Sequence, residues 1–325
     1  MSEREDHEGA GLSPERVSLR VEAGQAGRAD KIIARRFPDV GRRVIAELFG
    51  RGAVRVDGRR VKKGTLVAAG REIVLAEIPS NARQSAPVAQ PDLLLTVVHE
   101  DDDLVAMSKP GTLPSHPLRS GERDTLANAL IARYPECATA SVDAREAGLV
   151  HRLDIGTSGL IIAARHRAAW TAVRRAFGAG QVRKLYLALV AGLPIPATTC
   201  DLPIVNRGRR SAVDLLHCHD ALPAWTRWRT ASRHGRFTLL ACIARTGRRH
   251  QIRVHLAHAG LPIVGDALYG GPPAPIPLAG HFLHAHTISL PHPDGTTLLL
   301  EAPLPPERQA FLASCSRAAQ AGPTG

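Results

Sequence analysis

The chain has 325 residues, 44% of them hydrophobic and 22% charged, with 42 Lys and Arg against 30 Asp and Glu, a formal net charge of +12 and a pI near 10.3. That length holds a large core plus one small accessory domain, the hydrophobic share excludes a disordered chain, and the positive excess favours a polyanionic partner, RNA or DNA first. No apolar run reaches the roughly 18 residues of a membrane span, and the start MSEREDHEGAG is acidic and polar, unlike a signal peptide, so a cytoplasmic, monomeric protein is expected.

Residues 1–16 read as a flexible tail, and a compact basic module follows over 17–76. Ile32, Ile33 and Phe37 give one helix an apolar stripe, and Val44, Ile45, Leu48 and Phe49 give a second; FPDVG breaks the chain between them. AVRVDGRRV alternates around Asp57-Gly58, the strongest short hairpin signal. From Arg28 to Lys63 there are twelve Lys or Arg against four Asp or Glu, so most of the excess charge lies here. RADKIIARRF, the Arg42-Arg43 pair and GAVRVDGRRVKKG make this module similar to the S-four (alpha-L) RNA-binding domain. The resemblance implies phosphate contacts from Arg28, Lys31, Arg42, Arg43 and Arg55, a salt-sensitive attraction indifferent to sequence.

EIPSNARQSAPVAQ, 77–90, reads as a linker, 91–303 as the second domain and 304–325 as a C-terminal tail. Leu93 to Val98 is expected as a strand, Glu100 to Asp103 as a turn, and a second strand runs into KPGTLPSHP, whose His116 reads as structural. Thr125 to Tyr134 fits a surface helix.

GLVHRLDIGTSGL holds one carboxylate, Asp154, between two apolar runs. Leu149 and Val150 read as a strand end, Gly156 to Gly159 as a turn and Leu160 to Ala164 as a buried strand, with Arg152 and His151 close enough to favour the charged acid. On local chemistry, Asp154 is either a cap of that turn or a held nucleophile or electrostatic stabiliser. KLYLALVAG, from Lys184, is apolar on both faces and reads as a central strand, with Tyr186 its one polar-tipped member. Basic and aromatic residues interleave from Asp201 to Arg233, including Trp225 and Trp228, which suits either base stacking or an ordinary loop and strand. In RTGRRHQIRVHLAHAGLPIVGDALYG, Arg249 to His258 reads as a helix stopped by Gly260 and Pro262, with Arg249 and Arg253 on one face.

HRLD-x-x-TSGL resembles the signature of the RluA-type pseudouridine synthases, which isomerise uridine in ribosomal and transfer RNA. KPGTLPSHP resembles that family's K-P-x-G-x-x-x-H with its spacing rearranged, KLYLALVAG matches K-x-Y-x-A-x-V-x-G, and TGRRHQIRVHL resembles T-G-R-x-H-Q-I-R-x-H-L. Ile155 and Gly156 stand where many members carry a charged pair. The resemblance implies an α+β catalytic domain on a mixed, mostly antiparallel sheet, the pseudouridine synthase fold, behind a small α+β RNA-binding domain. It implies Asp154, Tyr186 and Arg253 as catalytic residues, Tyr186 over the target uracil with a part in proton removal, and Arg253 as the partner of Asp154. Arg152, Thr157, Lys184, Arg248 and His250 are the implied substrate contacts. The expected reaction cleaves the bond between uracil and ribose and rejoins the base through carbon five, without a cofactor, on ribosomal more than transfer RNA. A catalytically silent RNA-binding factor and a glycosidase, which normally needs two carboxylates, are the competing readings.

The five cysteines (Cys137, Cys200, Cys218, Cys242, Cys315) are scattered without a C-x-x-C pair, which argues against disulfides or a cysteine zinc site. His250, His255, His258, His281, His284 and His286 form no H-E-x-x-H pattern, so no metal is expected.

Overall fold

The computed structural model describes residues 17–38, 40–77, 86–119, 121–192, 198–274, 278 and 280–320. The chain divides into two compact units between Gln84 and Ser85. The first carries β1 (Val17–Arg20), β2 (Gly27–Arg28), α1 (Ala29–Arg36), α2 (Arg42–Gly50), β3 (Val54–Val56), β4 (Arg59–Arg60), β5 (Leu66–Val67) and β6 (Glu72–Leu75). Four strands pair in the order β1-β6-β3-β4, with β2 and β5 as a separate pair. Ile32 and Ile33 of α1 and Ile45 and Leu48 of α2 bury against Val54, Ile73 and Leu75. Asp57 and Gly58 both take positive φ, +45° and +79°, the pairing that a two-residue hairpin turn demands. The expected tail, 1–16, and residues 78–85 of the expected linker lie outside the described residues. The rest of that linker is docked: Val88 O and the Gln90 backbone bond Asn128, and the Gln90 side chain bonds Asp124.

The second unit runs through β7 (Val97–Glu100), β8 (Leu104–Lys109), α3 (Leu126–Arg133), β9 (Thr157–Ala164), α4 (Arg167–Gly178), β10 (Arg183–Ala191), β11 (Thr198–Cys200), β12 (Ile204–Arg207), β13 (Arg210–Val213), β14 (Thr226–His234), β15 (Phe237–Ala244), α5 (Gln251–His258), β16 (Leu283–Pro291), β17 (Thr297–Glu301) and α6 (Pro306–Gln320). Nine strands form one sheet, ordered β11-β14-β15-β10-β16-β9-β8-β7, with β17 on β16. Every pairing in it is antiparallel except β9 with β16. That parallel contact sets Thr157, Ser158 and Gly159 against Leu283, His284 and Ala285. Gly159 sits at φ +109°, and a Cβ there would stand 2.2 Å from the Ala285 carbonyl, so the close approach excludes any side chain.

Several expectations from sequence change. Thr157 to Gly159 belong to the strand rather than the turn, because their partners lie far along the chain. The strand expected from Leu93 starts at Val97, after a turn at Pro91 and Asp92. The α3 helix is buried over six of its eight residues, under Val105 and Met107, instead of lying on the surface. Trp228 is core, 2% exposed, whereas Trp225 lies under the Arg245 guanidinium at 4.2 Å. The expected C-terminal tail instead forms α6, with Phe311, Leu312 and Cys315 buried against Phe237 and Phe282. Its sequence has few large apolar residues, so only the waiting apolar groove accounts for its order.

At the rim beyond the Leu104–Ala164 end of the sheet, His292 is held among Asp101 (Nε2 to Oδ2, 3.3 Å), Asp103 (3.9 Å) and Asp294 (Nδ1 to Oδ1, 2.9 Å). Burial opposes a charge on the ring, but Asp294 and Asp101 outweigh it and raise His292 above its ordinary value. Ion pairs of His292 thus tie the β16–β17 turn to the β7–β8 turn. A raised folded value stabilises fully below the unfolded value and is lost as pH climbs through the folded one. Substituting His292→Gln should therefore cost more stability at about pH 5.5 than at about pH 9, read as the difference in urea midpoints from wild type at each pH.

Candidate active site

Asp154 sits on the turn between the Leu149 bridge to Ala163 and the first residue of β9. Its carbonyl accepts from Thr157 N (3.1 Å), and Gly156 N donates to Gly111 O (2.7 Å) from the KPG segment, so the turn is held on both sides. The carboxylate looks into a cavity of about 740 Å³ lined by Arg152, Arg174, Lys184, Arg245, Arg248 and Arg253. Among the described lining residues, Asp154 is the one carboxylate.

Arg253 Nη1 donates to Asp154 Oδ2 at 3.2 Å. The same guanidinium makes a two-pronged pair with Asp266, Nε to Oδ2 at 2.7 Å and Nη2 to Oδ1 at 2.8 Å. Arg253 and Asp266 are 6% and 2% exposed, so this is a buried pair whose free end presents one N–H to Asp154. Burial disfavours the guanidinium charge, but Asp266 first and Asp154 second outweigh it and raise Arg253 above its ordinary value. Helix α5 gives Arg253 its direction; Arg249, expected on the same face, instead caps the β12–β13 turn at the carbonyls of Gly208 and Arg209.

His250 precedes α5 in a left-handed conformation, φ +57°, which turns its ring toward Asp154, with Nε2 3.9 Å from Oδ2. Its Nδ1 lies 2.8 Å from the Tyr269 hydroxyl, which accepts from Ser211 N at 2.8 Å. Burial lowers His250 despite the pull of Asp154. Tyr269 donating to Nδ1 leaves the Nε2 proton facing the carboxylate, the tautomer that both neighbours favour. Gln251 knits the loop before α5, accepting from Thr246 Oγ1 and Arg248 N and donating to Trp225 O and Thr226 Oγ1.

Tyr186 lines the cavity from β10, beside a bulge where β16 skips a residue between its pairings with Leu185 and Tyr186. Burial, then the negative charge of Asp154, drives its hydroxyl well above the ordinary phenol range. Lys184 donates to Thr246 O at 3.1 Å; burial, then Arg248, lowers it to about 8. Of the other expected contacts, Arg152 is exposed at the mouth and Arg248 Nε bonds Pro223 O (2.8 Å). Thr157 is buried with its hydroxyl 2.9 Å from His281 Nε2. His151, expected beside the acid, is turned away to accept from Ile162 N, and burial lowers it to about 3. In the first unit Arg28 pairs with Asp30, Lys31 is exposed and Arg55 bonds Gly58 O; the side chains of Arg42 and Arg43 lie outside the described residues.

Asp266 and Tyr269 escaped the sequence reading. A signal was available: an arginine between Ile252 and Val254 in an apolar helix requires a nearby carboxylate, and Asp266 is the acid inside the same motif. The crowded histidines are likewise taken up internally. His255 bonds Thr226 Oγ1 and Leu202 O, and His284 bonds Ser158 Oγ and Ala302 O.

A family model described as RNA pseudouridylate synthase matches residues 103–258. An uncharacterised RNA pseudouridine synthase of Chloroflexus aurantiacus is 39% identical over 92% of this chain and 93% of its own. The chain belongs to the RNA pseudouridylate synthase family. Ribosomal large subunit pseudouridine synthase D of Xanthomonas campestris is 34% identical over 88% of each chain. The human RNA pseudouridylate synthase domain containing 4 structure shares the fold at TM-score 0.54 and 25% identity, covering 68% of this chain and 93% of its own. This protein is thus an RNA pseudouridine synthase, an isomerase with RNA as its partner. No helix among its described residues is long and apolar enough to cross a membrane.

In this pseudouridine synthase, Asp266→Asn removes the charge that neutralises a buried arginine. The substitution should cost about 3 kcal/mol, the low end of the range for a broken buried pair because Asp154 remains as a partner. Equilibrium urea unfolding measures it, and a loss below about 0.5 kcal/mol would show that the pair is dispensable.

Proposed function

We propose that the enzyme isomerises uridine in ribosomal RNA in the cytoplasm, as a monomer, with Asp154 as the catalytic carboxylate. The observation that carries the assignment of Asp154 is its isolation: one carboxylate faces a pocket lined by six Lys or Arg side chains, held by an arginine that a second, buried carboxylate fixes from behind. A glycosidase would want two carboxylates across the scissile bond. The cationic wall instead suits a nucleotide whose phosphates are drawn in with it. The names of the Xanthomonas and Haemophilus influenzae relatives, ribosomal large subunit pseudouridine synthase D, favour ribosomal over transfer RNA.

The target uridine must leave its stack, at a cost of a few kcal/mol, recovered by phosphate contacts and by stacking in the pocket. Asp154 then either attacks the anomeric carbon or removes a sugar proton; both routes start at the same oxygen, and both consume the carboxylate charge. The freed uracil turns, bonds to ribose through carbon five and gives up the proton on that carbon. Burial first, and then the charge of Asp154, keeps Tyr186 a phenol. Tyr186 lines the same cavity from β10, where its hydroxyl is placed to take part in removing that proton. The first unit, with its S-four-like sequence, is proposed to hold structured RNA through phosphates.

Replacing Asp154 by Asn keeps size and removes charge, so pseudouridine formation in a uridine-containing transcript should fall below detection while RNA affinity stays within about threefold. Turnover near wild type would overturn the assignment. Deleting Met1 to Ala76 should weaken binding and flatten the salt dependence of affinity, since each lost phosphate contact lowers the log-log slope by about 0.7 to 0.9. Equal slopes for both forms in a salt titration would remove the first unit from the RNA interface.

A further inference from the structure

The turn that carries Asp154 is also held from behind, by a side chain near the far end of the sequence. Arg308 lies in the first turn of α6 and is 1% exposed. Its Nη1 donates to Leu283 O at 2.7 Å, and its Nη2 donates to His281 O at 2.9 Å and Gly156 O at 3.2 Å. Its guanidinium also lies 5.2 Å from the centre of the Phe282 ring. Gly156 is two residues beyond Asp154, and Leu283 lines the same cavity as Asp154. One buried cation therefore joins the catalytic turn to the strand entering the pocket wall.

The packing at this junction leaves little freedom. A Cβ on Gly156 would stand 2.6 Å from the His281 ring, and one on Gly280 would stand 2.3 Å from Gly156 Cα. The same His281 ring meets Thr157 Oγ1 through its Nε2 at 2.9 Å. The Gly156 peptide is thus fixed through its N–H by Gly111, through its carbonyl by Arg308 and by the neighbouring Thr157 hydroxyl. Burying a guanidinium is costly, and an apolar side chain of like volume commonly serves stability as well or better. What the guanidinium supplies that such a side chain lacks is a planar fork reaching carbonyls on two separate segments.

We infer that Arg308 is a positioning residue for the isomerisation: by holding the Gly156 carbonyl against residues 281–283 it fixes where the Asp154 carboxylate stands. The inference rests on the reading of Asp154 as the catalytic group. Burial lowers Arg308 to about 10, so it keeps its charge at neutral pH.

The test uses the full-length protein and a ribosomal large-subunit transcript tritiated at uridine carbon five, since joining that carbon to ribose releases its hydrogen. Wild type, Arg308→Met, Arg308→Lys and Asp154→Asn are compared, with rates normalised to the folded fraction from near-ultraviolet circular dichroism. Arg308→Met should lower kcat by about 10- to 100-fold, the effect of a catalytic group displaced by roughly an ångström, and leave KM within about threefold. Arg308→Lys, which keeps the cation without the fork, should recover part of the loss. A folded Met variant with kcat within about twofold of wild type overturns the positioning role. If the Met variant does not fold, a Lys variant at the wild-type rate overturns it, and failure of both to fold assigns Arg308 to stability and overturns it too. Activity in Asp154→Asn overturns the Asp154 reading instead, whereas an inactive Asp154→Asn beside a normal Arg308→Met removes the positioning role alone.

Discussion

The buried chain of charge from Asp266 through Arg253 to Asp154 is the constraint around which the second unit is arranged. A guanidinium nearly closed off from water needs a carboxylate on its inner side, and Asp266 gives it a two-pronged one. With Nε and Nη2 so engaged, Nη1 is aimed at Asp154. The helix, the left-handed His250 ahead of it and the loop knitted by Gln251 all serve to present that one N–H.

The second element of the design is separation of roles among the cations. Arg253 and Arg308 are buried and bonded, so they set geometry. Arg152 is exposed at the mouth, and Lys184, lowered by burial and by Arg248 to about 8, stands on the wall with its charge kept at neutral pH. A surplus of +12 over the whole sequence thus hides a division between cations bonded inside the fold and cations that face the cavity.

The sequence alone made the motif residues legible. Asp154, Tyr186 and Arg253 each lie in a dense local pattern, and the structure brings all three to one cavity. The mixed sheet was legible only through the family resemblance of those motifs, whereas the Asp57-Gly58 turn was legible from alternation and turn chemistry, which are short-range. What stayed hidden depends on partners far along the chain. The start of β9 at Thr157 is set by Leu283, and the order of α6 by Phe237 and Phe282. Arg308 looks like a solvated helix residue until its bonds to the carbonyls of Leu283, His281 and Gly156 are seen, and His151 looks like a neighbour of Asp154 until the backbone turns it toward Ile162.

The parallel contact between β9 and β16 has a consequence for synthesis. Thr157 must wait for Leu283 and Gly156 for Arg308, so the pocket has no floor until nearly the whole chain has been made. Pairings this distant are slow to close, and a chain emerging from its N-terminus can fold its first unit long before the second. Such a nascent chain would carry its basic unit folded before the walls around Asp154 are joined.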